Sequence, residues 1–86
     1  MNKYKIIKIE PKDGKLKDVH ESWIGAECEI ERLEIGHSMT LVSNAAQIGI
    51  FSNMLFTSRV SDADIEENGD ITVFTQNTTY YLQFVK

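Results

Sequence analysis

Residues 57–85 read TSRVSDADIEENGDITVFTQNTTYYLQFV, and this stretch decides the fold. Three segments within it alternate apolar and polar residues, and turn-forming residues separate them at Asn68-Gly69 and Asn77-Thr78. Alternation with a period of two is typical of half-buried strands, and Asn-Gly is a strong hairpin signal. The stretch therefore predicts a three-stranded antiparallel meander.

Side-chain parity decides the first turn of this meander. A two-residue loop at Asn68-Gly69 would bury carboxylates, because it would put Ile71 on the same face as the acidic residues of the preceding strand. A three-residue loop over 67–69, with a bulge at the glycine, instead pairs Ile65 with Ile71 and leaves the acidic residues outside. We choose the three-residue loop.

The second turn is interpreted as a two-residue loop at Asn77-Thr78, which sets Phe74 directly across from Tyr81 on the outer face. An aromatic pair in that position is either a stabilising cross-strand contact or the centre of an interface. The inner face of the meander is then continuously apolar, and its predicted core residues are Ile65, Ile71, Val73, Tyr80, Leu82 and Phe84.

The rest of the chain favours further short strands. Residues 4–10 predict a strand that is apolar on both faces and pairs centrally or closes a barrel. Residues 26–31 alternate cleanly before the pattern slips, which indicates a bulge near Glu31 and Arg32 or the end of the strand. Between them, residues 11–25 predict an irregular loop that packs Trp23 against a barrel mouth. We expect one all-β domain over residues 1–86, a small SH3-like barrel or a strongly bent antiparallel sheet of five to six strands.

Composition limits the function classes. The net charge of −4 divides into +3 over residues 1–18 and −7 over residues 19–86, so nucleic acid is a disfavoured partner for the acidic body. The one cysteine, Cys28, cannot form an internal disulfide and is expected in the core. No apolar leader or membrane-length stretch is present, which predicts a cytoplasmic location and no membrane partner.

No constellation in the sequence points to catalysis. His20 and His37 fall in predicted loops and are expected to be solvated. Three acidic side chains alternate on one strand face, namely Asp62, Asp64 and Glu66. Their carboxylates could hold a cation, but the preferred interpretation is a solvated strand edge that discourages aggregation. We expect no enzyme, no cofactor and no metal.

A resemblance adds a hypothesis about origin. The block TSRV followed by NGDITVFTQNTTYYL resembles the C-terminal pattern of small uncharacterised proteins of phages and mobile elements of Gram-positive bacteria. It covers about a third of the chain and implies no chemistry. The matching positions are Thr57, Ser58, Val60, Thr75, Asn77, Thr78 and Tyr80.

Three binding hypotheses follow. The favoured hypothesis is a protein-interaction module that forms homo-oligomers or contacts a host protein. In one version of this hypothesis, the chain is a phage-encoded inhibitor of a bacterial defence system. Its interface residues would be Phe74, Tyr81, Ile50, Phe51, Met54 and Phe56. The second is an oligomeric protein that binds or sequesters a small molecule, such as a nucleotide signal, in pockets between copies of the chain. Arg32, Arg59 or the N-terminal lysines would supply the phosphate contacts. Its ligand-binding residues would be Arg32, Arg59 and Tyr80. The third is a barrel that binds single-stranded nucleic acid and stacks bases on aromatic residues, namely Phe74, Tyr80 and Tyr81.

Overall fold

The computed structural model describes residues 2–43 and 53–86. In these ranges the chain forms six strands and one short helix, in the order β1 (Lys3–Pro11), α1 (Asp18–Glu21), β2 (Glu27–Arg32), β3 (Ser38–Ser43), β4 (Met54–Ile65), β5 (Ile71–Thr75) and β6 (Thr78–Val85). Every neighbouring pair is antiparallel, and β6 returns to pair with β1, so the sheet closes into a barrel. The prediction of a small all-β barrel is confirmed. No helix in the described ranges is long and apolar enough to cross a membrane.

Bulges let the strands turn their apolar residues inward. In β1 the register with β6 shifts between Ile6 and Lys8. Ile6 and Ile9 are therefore both buried although they have opposite parity, while Ile7 between them is 51% exposed. This bulge accounts for the apolar residues on both faces of the predicted first strand.

The slip in alternation after residue 30 has both of the causes left open by the sequence: the pairing of β2 with β3 shifts between Ile30 and Arg32, and β2 ends at Arg32. Ile35, which follows this bulge, lies in a turn and is 61% exposed. The chain leaves the sheet after Arg32, which pairs with Thr40.

The first turn of the terminal meander is confirmed in its register. Ile65 pairs with Ile71, and the amide of Glu66 donates to the carbonyl of Asp70 across a loop whose Gly69 has φ +98°. The expected burial of Ile65 is wrong: it is 71% exposed. It is the last residue of β4, where that strand pairs with β5 alone.

The second turn is a two-residue loop, but it lies one position earlier than predicted, at Gln76-Asn77. The register of β5 with β6 therefore shifts by two residues, which keeps each side chain on its predicted face. Phe74 pairs with Thr79, and Tyr81 pairs with Thr72. The prediction that Phe74 lies directly across from Tyr81 is wrong.

Among the described residues the barrel interior is a single apolar cluster, which contains four of the six residues predicted on the inner face of the meander: Ile71, Val73, Tyr80 and Leu82. The predicted burial of Phe84 is wrong, because it is only half-buried and lies outside this cluster. Trp23, which follows α1, is fully buried in this cluster. Cys28 is also buried, and burial raises the pKa of its thiol to about 12. The buried apolar residues are Ile6, Ile9, Trp23, Ala26, Cys28, Met39, Leu41, Leu55, Val60, Ile71, Val73, Tyr80 and Leu82.

Candidate functional site

A cavity of about 350 Å³ lies at the end of the barrel where β1 ends and β6 begins. We call it the lysine cavity. One side is formed by the segment that follows β1, through Pro11, Lys12, Asp13, Lys15, Lys17 and His20. The other side is formed by the sheet, through Phe56, Ser58, Asn77, Thr78 and Tyr80.

The segment after β1 is held in place by backbone and turn contacts. The amide of Lys12 donates to the carbonyl of Asn77 at 2.9 Å, which ties the segment to the β5–β6 turn. A tight turn follows, in which the amide of Gly14, at φ +78°, donates to the carbonyl of Pro11. The carboxylate of Asp13 accepts the amide of Lys15 at 2.9 Å. These contacts bring the lysines that follow β1 to one side of one cavity.

The lining is positively charged although the chain is acidic. Lys12, Lys15 and Lys17 stand against the single carboxylate of Asp13, whereas the whole chain has a net charge of −4. Within the described residues, none of these three ammonium groups has a carboxylate within ion-pair distance. The lining therefore has a local excess of positive charge, which attracts anions.

The sheet side of the cavity is a connected hydrogen-bond network. The Ser58 hydroxyl donates to Thr75 Oγ1 at 2.9 Å and accepts the amide of Asn77 at 3.1 Å. Thr75 Oγ1 in turn donates to the carbonyl of Thr78 and accepts its amide. These bonds join Ser58, Thr75, Asn77 and Thr78 into one network, which restrains this side of the cavity.

His20 and Tyr80 meet at the cavity. The Tyr80 hydroxyl lies 3.5 Å from His20 Nε2, and the two rings pack edge to face with centroids 5.9 Å apart. Burial, with the Lys17 charge adding to it, lowers the pKa of His20. Burial also raises the pKa of Tyr80 to about 12, against the opposing effect of a hydrogen bond with Thr78. Both side chains are therefore neutral near pH 7.

Phe56 completes the lining. It is the third residue of β4, it pairs with Thr40, and it is 63% exposed. A large aromatic side chain left in contact with water beside a cavity is available for contact with a ligand.

Two of the residues predicted from sequence for binding are brought together here. Tyr80, expected to contact a ligand, and Phe56, expected at an interface, both line the lysine cavity. Arg32 and Arg59 do not line it. Arg32 is exposed and pairs with Glu34 at 3.4 Å, so these arginines do not converge on the cavity.

The other predicted interface residues are dispersed. Phe74 and Tyr81 are half-buried on the outer face. Tyr81 already has neighbours there: its hydroxyl lies 3.4 Å from Glu10 Oε1, and Lys8 Nζ lies 5.5 Å from its ring centroid. Met54 is half-buried at the start of β4, and Ile50 and Phe51 lie outside the described residues.

Several lining residues were missed by the sequence reasoning. The lysines of KDGKLK, residues 12–17, enter the sequence prediction only as part of the N-terminal lysines that could contact a phosphate, and the sequence does not single them out. The expectation that His20 is solvated is wrong, because it is half-buried against Tyr80. Asp62, Asp64 and Glu66 are exposed as predicted, and no group of three potential metal ligands occurs among the described residues.

Comparisons with protein-family models, with curated protein sequences and with solved structures give no match to this chain.

Proposed function

We propose that this protein is a non-enzymatic binding protein for a small phosphate-bearing molecule, held in the lysine cavity within a single chain. One observation carries the proposal: Lys12, Lys15 and Lys17 line a cavity of about 350 Å³ together with one carboxylate, Asp13, and none of the three forms an ion pair among the described residues. The volume lies at the lower end of the range of about 300–1,000 Å³ that is usual for small-molecule sites.

Charge distribution favours a small anion over a polymer. The lining has a formal charge of +2 with His20 neutral, whereas the whole chain is at −4, so the rest of the chain is at −6. A nucleic acid strand that entered the cavity would continue across this acidic surface, where its phosphates meet like charges and release no counterions, so these contacts would not favour binding. A small anion meets only the local positive charge.

Phosphate suits the donors that the cavity offers. A lysine ammonium has three donors and acts as a point charge, and hydrogen bonds from a charged donor to a phosphate are about twice as strong as neutral ones. The Asn77 side chain adds a neutral donor at the lining. The hydrogen bonds that hold Ser58 and Thr78 in place on the lining lower the entropic cost of holding a ligand.

Calorimetric titration with inorganic pyrophosphate at low ionic strength tests the proposal. We expect saturable binding to the wild-type chain and a loss of affinity of about tenfold or more in the triple variant K12Q/K15Q/K17Q, equal to about 1.4 kcal/mol. The matched control is K3Q/K5Q/K86Q, which changes the net charge equally at positions away from the cavity. Equal losses in the two variants would show that only net charge matters, and absence of binding to the wild type would overturn the proposal.

Self-association is a second candidate, favoured by the 63% exposure of Phe56. In that case Phe56 would be covered by a second copy of the chain, and replacing it with serine would convert a dimer into a monomer. Mass measurement in solution checks this, since a strict monomer at all concentrations contradicts it. The cytoplasmic location, the phage origin and an anti-defence role stay predictions from the sequence.

A further inference from the structure

We infer that the ligand of the lysine cavity is a mononucleotide whose base stacks on Phe56 while the lysines bind its phosphate. This inference rests on the proposed binding of a phosphate-bearing molecule and adds the chemistry of the remainder of that molecule. The cavity presents two kinds of surface, cationic on the β1–α1 segment and aromatic on β4. A ligand that uses both must join a phosphate to a planar ring system.

The exposure of Phe56 is the first argument for a base. The side chain lines the cavity and is 63% exposed, so its ring is not used to fill the barrel core. A base has a π-face, and stacking on an exposed aromatic ring is a general means of holding it. Inorganic phosphate or pyrophosphate alone would leave this ring in water.

The neutral polar groups are the second argument. His20, Tyr80 and Asn77 lie on the lining, and none of them carries a charge near pH 7. Neutral donors and acceptors match base edges and ribose hydroxyls, which are themselves uncharged. The carboxylate of Asp13 already accepts the Lys15 amide, so it is oriented by its own loop.

The size of the cavity is the third argument. A volume of about 350 Å³ suits a ligand with one base and one sugar better than a chain of nucleotides. Acidic side chains at exposed positions such as Asp62 and Asp64 also discourage a longer phosphate backbone from following the surface.

Calorimetry with three kinds of probe tests the inference. The probes are the 5′-monophosphates of adenosine, guanosine, cytidine and uridine, the four nucleosides without phosphate, and ribose 5-phosphate. We expect one or more of the monophosphates to bind at least about tenfold more tightly than both its nucleoside and ribose 5-phosphate, as expected when stacking and charge both contribute.

Variants of Phe56 identify the stacking surface. F56L keeps an apolar side chain but removes the ring, and it should weaken monophosphate binding about tenfold while leaving ribose 5-phosphate binding unchanged. F56Y keeps the ring and should restore monophosphate affinity. I65S is the control for loss of an exposed apolar residue on the same strand, since Ile65 is 71% exposed and does not line the cavity.

The outcomes separate the two proposals. If ribose 5-phosphate binds as tightly as every monophosphate, or if F56L binds monophosphates as the wild type does, the inference about the base is overturned and phosphate binding stands. If neither pyrophosphate nor any of these phosphate esters binds, both proposals are overturned.

Discussion

Replacing Thr75 with valine should destabilise the barrel strongly, although the two side chains have nearly the same size. Thr75 is fully buried, and its hydroxyl makes three hydrogen bonds: it donates to the Thr78 carbonyl at 2.7 Å, and it accepts the Thr78 amide at 3.1 Å and the Ser58 hydroxyl at 2.9 Å. These bonds use the full capacity of a threonine hydroxyl. Valine has nearly the same shape and makes none of them.

The magnitude follows from the groups that are left behind. Each buried polar group that loses its partner costs about 1–3 kcal/mol, and Thr78 has an amide and a carbonyl that depend on Thr75. Ser58 is half-buried, so its hydroxyl can turn to water at a small cost. We expect T75V to lower the free energy of unfolding by about 2–4 kcal/mol, which for a domain of this size is a drop in melting temperature of about 10–25 °C.

Urea denaturation of three variants checks this prediction. T75S keeps the hydroxyl and loses one methyl group, which costs about 1 kcal/mol, so it should be clearly more stable than T75V. T72V makes the same substitution at a half-buried position in the same strand and should change the stability little. If T75V is as stable as T75S, the hydroxyl network does not hold this turn and the reasoning is refuted.

Three further predictions use other parts of the fold. G69A should destabilise the chain more than G14A. Both glycines have a positive φ, but a Cβ at Gly69 would lie 2.9 Å from Phe84 Cγ, whereas a Cβ at Gly14 would meet nothing within 4 Å. Equal losses of stability in urea denaturation would contradict the role of the Phe84 contact. Iodoacetamide should alkylate Cys28 only at the rate of unfolding, because the thiol is buried and its pKa is raised to about 12; alkylation of the native protein as fast as in denaturant would refute this. The pKa of His20 is lowered below 6.5 in the folded chain, so the stability that the neutral His20 contributes is present above pH 6.5 and is lost as the pH falls toward the folded pKa. In urea titrations, H20Q should therefore lose less stability than the wild type over that pH range. Identical pH profiles for the two proteins would contradict this prediction.

The parts of the fold that depend on neighbours in sequence were predictable. The hairpin at Gly69 follows from the parity of its flanking residues and the need for a positive φ, and its register is confirmed. A slip in alternation likewise indicates a change after Ile30, where the register of β2 with β3 shifts, although alternation alone left a bulge and a strand end open. Both features depend on residues that are close together in the sequence.

The second turn was misplaced because its anchor is distant in sequence. Ser58 and Thr75 hold Asn77 and Thr78 through side-chain hydrogen bonds, and Ser58 is 17 residues from Thr75. Alternation alone cannot distinguish a loop at 76–77 from one at 77–78, because both keep each side chain of β6 on the same face. The direct Phe74–Tyr81 pair follows from a loop at 77–78, whereas the structure has the loop at 76–77.

The candidate site could not be predicted from the sequence because it also depends on contacts between residues that are distant in sequence. His20 meets Tyr80 across 60 residues of sequence, and the Lys12 amide bonds to the Asn77 carbonyl across the barrel end. Composition showed an excess of lysine near the N-terminus, but only the closed barrel sets Lys17 and its neighbours beside Phe56. The sequence thus predicted the elements, and the tertiary contacts created the cavity.

The most direct test of the lysine cavity is a two-dimensional ¹H–¹⁵N NMR titration of the labelled chain with inorganic pyrophosphate at low ionic strength. The account predicts saturable shifts confined to amides that border the cavity, in residues 12–20, in 56–58 and in 77–80, together with a rise in the pKa of His20 as the anion binds. Shifts centred instead on Lys3 and Lys5 of β1, or no saturable shift at all, would contradict it.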